Sequence, residues 1–169
     1  MQNIIFLDVD GVLNSDPYFK LNKGKGMGHK EIRDFHLQML AKIYHTCDAK
    51  IVLSSSWRDL DDPDDLDVYW MWEYLVGELA RYDMEIIGKT PVLGDVRPLE
   101  IKTWLDKQEN KDEIRFIIID DDWHKEHYEK YGLGDRLIKT EFYCNSVDEG
   151  GLQQWHVDEA IRKFKGGNV

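Results

Sequence analysis

Apolar residues fall along this chain in two rhythms, short unbroken runs and longer stretches at helical spacing. Ile4-Ile5-Phe6-Leu7 is too short and too β-branched for a helix and predicts a buried strand. Between residues 31 and 46, Ile32, Phe35, Met39, Leu40 and Ile43 recur at helical spacing, and Ile51-Val52-Leu53 then predicts a second buried strand. Leu66, Tyr69, Trp70, Tyr74, Leu75 and Leu79 predict an amphipathic helix over 66–81, followed by a short strand at Glu85-Ile86-Ile87. A third helix is expected over 99–105, a clear strand over Phe116–Ile119, a weaker one over Leu137–Lys139, and a closing helix over 151–164. Strands separated by helices predict an α/β chain: a three-layer, Rossmann-like parallel sheet with right-handed crossovers and helices on both faces. No internal repeat interrupts the pattern.

Two of these strands discharge into acid. The first runs into Asp8-Val9-Asp10-Gly11, and the strand at 116–119 runs into Asp120-Asp121-Asp122. Parallel strands end on one edge, which is where open α/β sheets bind ligands, so Asp8, Asp10, the Ser54-Ser55-Ser56 run, Asp120 and Asp121 are expected to share a crevice. Clustered carboxylates repel one another and call for a cation. Magnesium suits carboxylate and water oxygens, whereas zinc would ask for His or Cys. His124 and His127, three apart after an acidic turn, read as a solvated helix start rather than as metal ligands.

Composition narrows the classes. The 169 residues fit a single domain over 1–169, with enough chain for one core. Apolar runs are too short to span a bilayer, and the first residues lack the basic flank and apolar stretch of a signal peptide, so a cytoplasmic protein without membrane partners is expected. Cys47 and Cys144 lie in no metal-type spacing and are expected to be reduced, structural thiols. A net charge of −11 argues against strong long-range attraction to nucleic acid. If phosphate is handled, the positive charge must be concentrated at the site.

The acid-tipped strands resemble the haloacid dehalogenase (HAD) superfamily of phosphotransferases, and four motifs match in order. Asp8-Val9-Asp10-Gly11-Val12 resembles the first motif, which implies Asp8 as the nucleophile that takes a phosphoryl group and Asp10 as general acid and base. Ser54, with Ser55 and Ser56 as alternatives, corresponds to the second, a hydroxyl for a phosphoryl oxygen. Arg97 before Pro98-Leu99-Glu100-Ile101, or Lys102 nearby, corresponds to the third, a cation that offsets charge in transfer. Ile117-Ile118-Ile119-Asp120-Asp121 corresponds to the fourth, and implies a magnesium site built from Asp8, Asp10, Asp120 and Asp121. Ser54-Ser55-Ser56-Trp57-Arg58, Glu100-Ile101 with Trp104-Leu105, and the triple Asp120-Asp121-Asp122 are closer still to the small, nearly capless HAD-type domains of bacterial and phage Swiss Army Knife RNA-repair proteins. The resemblance implies a phosphomonoester hydrolase with a minimal cap, acting on a nucleotide, a nucleic-acid end or another phosphomonoester.

Other features have competing readings. Arg58 reaches either the substrate's leaving group or a structural ion pair with neighbouring aspartates. The Gly- and Lys-rich segment near 16–30, with Gly24, Gly26, Gly28, Lys20, Lys23, Lys25 and Lys30, is either a basic flap where this superfamily inserts a cap or a surface loop. The acids Asp59, Asp61, Asp62, Asp64, Asp65 and Asp67 depart from the calcium-loop pattern and read as a solvated loop capping the next helix. Trp70, Trp72 and Tyr74 read as core before they read as a base-stacking platform. Two rivals to a phosphatase are a phosphoacceptor receiver domain and a catalytically silent binding module on the same fold.

Overall fold

Each apolar run becomes a strand of one five-stranded parallel sheet in the computed structural model, which describes residues 2–23 and 31–166. The strands are β1 (Gln2–Leu7), β2 (Ala49–Leu53), β3 (Ile86–Lys89), β4 (Ile114–Asp120) and β5 (Leu137–Lys139), ordered β3-β2-β1-β4-β5. Every pairing is parallel, with Leu7 opposite both Leu53 and Ile119.

The alternation of side chains along β1 explains the layers. Ile5 and Leu7 point into one core with α2 (Asp34–Thr46), α3 (Leu66–Ala80) and α6 (Gln154–Phe164). Ile4 and Phe6 point into a second core with α4 (Arg97–Asp106) and Tyr128 of the short α5 (Lys125–Glu129). Phe6 meets the rings of Trp104 and Phe116 edge-on at 5.4 and 5.7 Å. Burial of each such side chain is worth about 1.5–3 kcal/mol. Being buried on both faces, β1 has no polar alternation.

Differences from the expected elements have local causes. The helix expected from residue 31 begins at Asp34, because the extended Arg33 donates its N–H to the Leu13 carbonyl at 2.8 Å. The closing helix begins at Gln154 because the chain before it is stitched to the first loop, Leu152 N–H meeting the Val12 carbonyl at 2.8 Å. The segment α1 (Asp16–Asn22) carries no apolar stripe to betray it, since none of its residues is buried. It occupies the first part of the expected cap region; Gly24, Lys25, Gly26, Gly28 and Lys30 lie outside the described residues. Asp65 takes the N-cap position of α3, yet its side chain makes no capping bond, which corrects the capping role expected of the acid loop. Of the three aromatics read as core, Trp72 and Tyr74 pack against it, whereas Trp70 is not in that cluster and its indole N–H donates to the Asp67 carbonyl at 3.0 Å.

Chain direction reverses around β1. From β1 the chain moves to β2 and β3, then α4 carries it across to β4 on the far side of β1. Crevices at the carboxyl ends of strands flanking such a reversal are the ligand sites of open α/β sheets. The same order excludes the receiver-type arrangement, in which the third strand lies beside the first. Among the described residues no helix is long and apolar enough to cross a membrane, and Cys47 and Cys144 are free thiols.

Candidate active site

One polar residue follows or closes each strand, and the sheet ladder extends to hold it. Asp8 N–H bonds the Ile119 carbonyl at 3.1 Å, Ser54 N–H the Leu7 carbonyl at 2.8 Å, Thr90 N–H the Leu53 carbonyl at 3.0 Å, and Thr140 N–H the Asp120 carbonyl at 3.1 Å. Asp8 is therefore fixed between the end of β2 and the end of β4 by backbone geometry alone. A cleft of about 270 Å³ opens above it, lined by Asp8, Asp10, Ser56, Arg97, Asp121, Asp122, Phe142 and Tyr143.

Asp8 and Asp120 are buried, and Arg97 lies across both. One guanidinium nitrogen of Arg97 pairs with Asp8 Oδ2 and, at 2.7 Å, with Asp120 Oδ2. Asp120 is held further by the N–H groups of Asp122 and Trp123 at 2.8 and 2.9 Å and by the Tyr128 hydroxyl at 2.9 Å. Asp8 accepts the Val9 N–H at 2.8 Å and a hydrogen bond from the Ser55 hydroxyl. Oxygens of Asp8, Asp120 and Asp121 all lie within 4.8 Å of one another. The Asp8 carboxyl is raised to about 7, first by burial and then by Asp120, with Arg97 pulling the other way. Asp121 is also raised to about 7, by burial and then by Asp8 and Asp120. Three hard oxygen donors, crowded and short of positive charge, fit a divalent cation, and among the described residues no His or Cys joins them to favour a softer ion.

Gly11 makes this crowding possible. Its φ is +69°, and a Cβ there would lie 2.0 Å from Asp121 Cγ, so only glycine lets the Asp121 carboxylate close against the first loop. Lys139, at the end of β5, donates to the Asp121 backbone carbonyl and fixes that loop from the other side.

Asp10 stands apart from the three-carboxylate group. Its carboxylate is exposed toward the cleft and held by the Trp57 indole N–H at 2.9 Å and the Asn14 amide at 2.8 Å. Asn14 in turn accepts the Gly11 N–H at 2.8 Å, which closes the turn. The oxygens of Asp10, expected from the sequence to share the metal site, are directed by Trp57 and Asn14 and lie beside the cluster of Asp8, Asp120 and Asp121.

The three serines separate through a single 3-10 turn over Ser56–Asp59. Ser54, expected to reach a phosphoryl oxygen, lies below the cleft with its hydroxyl buried and unbonded. Ser55 turns to Asp8, and Ser56 alone of the three lines the cleft. Of the two candidate cations, Arg97 is in the site, whereas Lys102 is exposed and paired with Asp106. Arg58 is withdrawn from the cleft. Its guanidinium pairs with Glu100 at 2.9 Å and, more loosely, with the neighbouring Asp59 at 4.0 Å, and it bonds Thr90 Oγ1 at 3.2 Å, so that a structural ion pair occupies it. His124 and His127 sit at the start of α5, outside the carboxylate group.

Sequence reasoning missed the roles of Trp57 and Asn14, and it missed Phe142 and Tyr143 altogether. The last two carried a usable signal: they follow β5 within a few residues and so must lie on the carboxyl edge. A family model described as the HAD domain in Swiss Army Knife RNA repair proteins matches residues 4–145. No curated protein and no solved structure matches the chain.

Proposed function

The chain belongs to the family of HAD domains in Swiss Army Knife RNA repair proteins, and from that premise we propose that it is a magnesium-dependent phosphomonoester hydrolase that works through a phosphorylated Asp8. The substrate in this reading is a nucleotide or the phosphorylated end of a polynucleotide. The observation that carries it is the approach of Asp8, Asp120 and Asp121 around Arg97 at the mouth of a cleft that also presents Asp10.

Arg97 and Ser56 bind the phosphoryl oxygens, and Arg97 offsets the charge that builds on them in transfer. Asp8, Asp120 and Asp121 would hold a magnesium ion, which would supply the positive charge that lets a phosphate dianion approach a carboxylate nucleophile. An oxygen of Asp8 attacks phosphorus in line, a P–O bond forms to Asp8, and the bond to the leaving oxygen breaks. Asp10 gives that oxygen a proton, then takes one from a water that attacks the same phosphorus and frees Asp8. Trp57 and Asn14 aim Asp10 for both transfers, each carboxylate oxygen keeping a lone pair for the proton. Proton transfer of this kind contributes about 10²–10⁴-fold in rate.

The test is release of phosphate from an aryl phosphate and from a nucleotide panel, with and without magnesium, for wild type and Asp8→Asn. Turnover that needs the metal and is lost in Asp8→Asn supports the reading. Turnover that survives Asp8→Asn contradicts it, and silence on the whole panel favours a binding module.

A further inference from the structure

We propose that Tyr143, supported by Phe142, is a stacking platform for the nucleobase next to the phosphate under attack, and so a specificity-determining residue. The inference rests on the phosphate-binding reading of the cleft and names what lies beyond the phosphate. Among the described residues the lining apart from Phe142 and Tyr143 is acid, arginine and hydroxyl, which is all that a phosphoryl group and a metal require. Neither a phosphoryl group nor a sugar hydroxyl has use for an aromatic face.

Tyr143 is 80% exposed, although it belongs to the cleft wall. A lone exposed aromatic is ordinary. This one is buttressed: its ring meets Phe142 edge-on at 4.8 Å, Phe142 lies 6.1 Å from Phe19, and Phe19 lies 6.0 Å from Tyr18. The backbone is tied as well, since the Phe142 carbonyl accepts the Asp16 N–H at 3.0 Å at the start of α1. An exposed ring that rests against a row of rings loses less freedom than an unsupported one when a flat ligand lands on it. Aryl phosphates fit the pattern less well, because their ring is bonded to the phosphate itself and would lie among the carboxylates. Lys20 of α1, ion-paired with Asp16 at 2.6 Å, lies near enough to Tyr143 to interact with it electrostatically. The chain's net charge of −11 works against long strands.

The experiment compares kcat/KM for a nucleoside monophosphate, a short phosphate-terminated oligonucleotide and ribose 5-phosphate in wild type, Tyr143→Ala and Tyr143→Phe. Stacking on one aromatic face predicts that preference for base-bearing over abasic substrate falls about tenfold in Tyr143→Ala and persists in Tyr143→Phe. The two base-bearing arms tell a free nucleotide from a strand end. A preference unchanged in Tyr143→Ala, or absent in wild type, overturns the proposal while leaving the hydrolase reading intact. If no substrate is turned over, titration of intrinsic fluorescence with the nucleoside monophosphate and with ribose 5-phosphate decides. Tighter binding of the nucleotide that is lost in Tyr143→Ala upholds the platform, and equal binding by the two proteins overturns it.

Discussion

Arg58→Ala removes the cation of a buried pair and leaves a carboxylate behind. Arg58 is 5% exposed and Glu100 1%, and the guanidinium reaches both Glu100 oxygens, at 2.9 and 3.2 Å. Deleting one partner of such a pair costs about 3–5 kcal/mol, because the remaining charge is desolvated and unpaired. Glu100 keeps one donor, the Leu93 N–H at 2.8 Å, which places the cost near the lower limit. For a chain of this length each kcal/mol moves the midpoint by about 2–4 °C, so a fall in Tm of roughly 10 °C is expected by circular dichroism. The double change Arg58→Met with Glu100→Leu, which removes both charges and keeps the volume, recovers most of that loss. In steady-state assays well below the lowered Tm, KM for an aryl phosphate stays within about twofold of wild type, because uniform substrate binding loses no contact. A Tm within 2–3 °C of wild type combined with a rise in KM of about tenfold or more would refute the structural assignment and return Arg58 to the substrate.

Gly11→Ala forces a Cβ into the Asp121 carboxylate at a positive φ, and the displaced ligand is expected to raise the magnesium concentration for half-maximal activity by about tenfold or more, read from a metal titration. His36 provides a pH test of stability. Burial holds its imidazole down at about 4, with Nδ1 bonded to the Leu152 carbonyl at 2.8 Å and Nε2 without a partner. An unfolded chain takes up this proton near pH 6.5, before the folded one does, so stability is unaffected above about pH 7 and falls as pH drops from 6.5 toward 4. The full difference is about 3 kcal/mol, and His36→Asn, which keeps a donor for Leu152, is expected to flatten that limb in urea unfolding at pH 7.5 and 5. An acid limb equally steep in the variant would assign it to other groups.

The fold was largely legible because its strands are uninterrupted apolar runs and its long helices carry apolar stripes. Asp8, Asp120 and Asp121 followed from the rule that parallel strands end on one edge, and Arg97, with Lys102 beside it, from the resemblance to the family's third motif. What stayed hidden depended on partners distant in sequence or on rotation through one turn. Glu100 lies 42 positions from Arg58, and Trp57 lies 47 from the Asp10 it orients. Three consecutive serines point below, toward and into the cleft only because the chain enters a 3-10 turn at Ser56. The short helices α1 and α5 bury too little to leave a pattern, α5 burying only Tyr128.

The central claim is a covalent phosphoryl group on Asp8. Acid-quenching the wild-type protein during turnover of a phosphomonoester with magnesium, followed by peptide mapping in a mass spectrometer, tests it directly. One phosphoryl group on the peptide that carries Asp8, absent in Asp8→Asn and gone once substrate is exhausted, is the predicted result. Continued phosphate release with that peptide unmodified at every quench time, or a phosphoryl group carried by another residue, would contradict it.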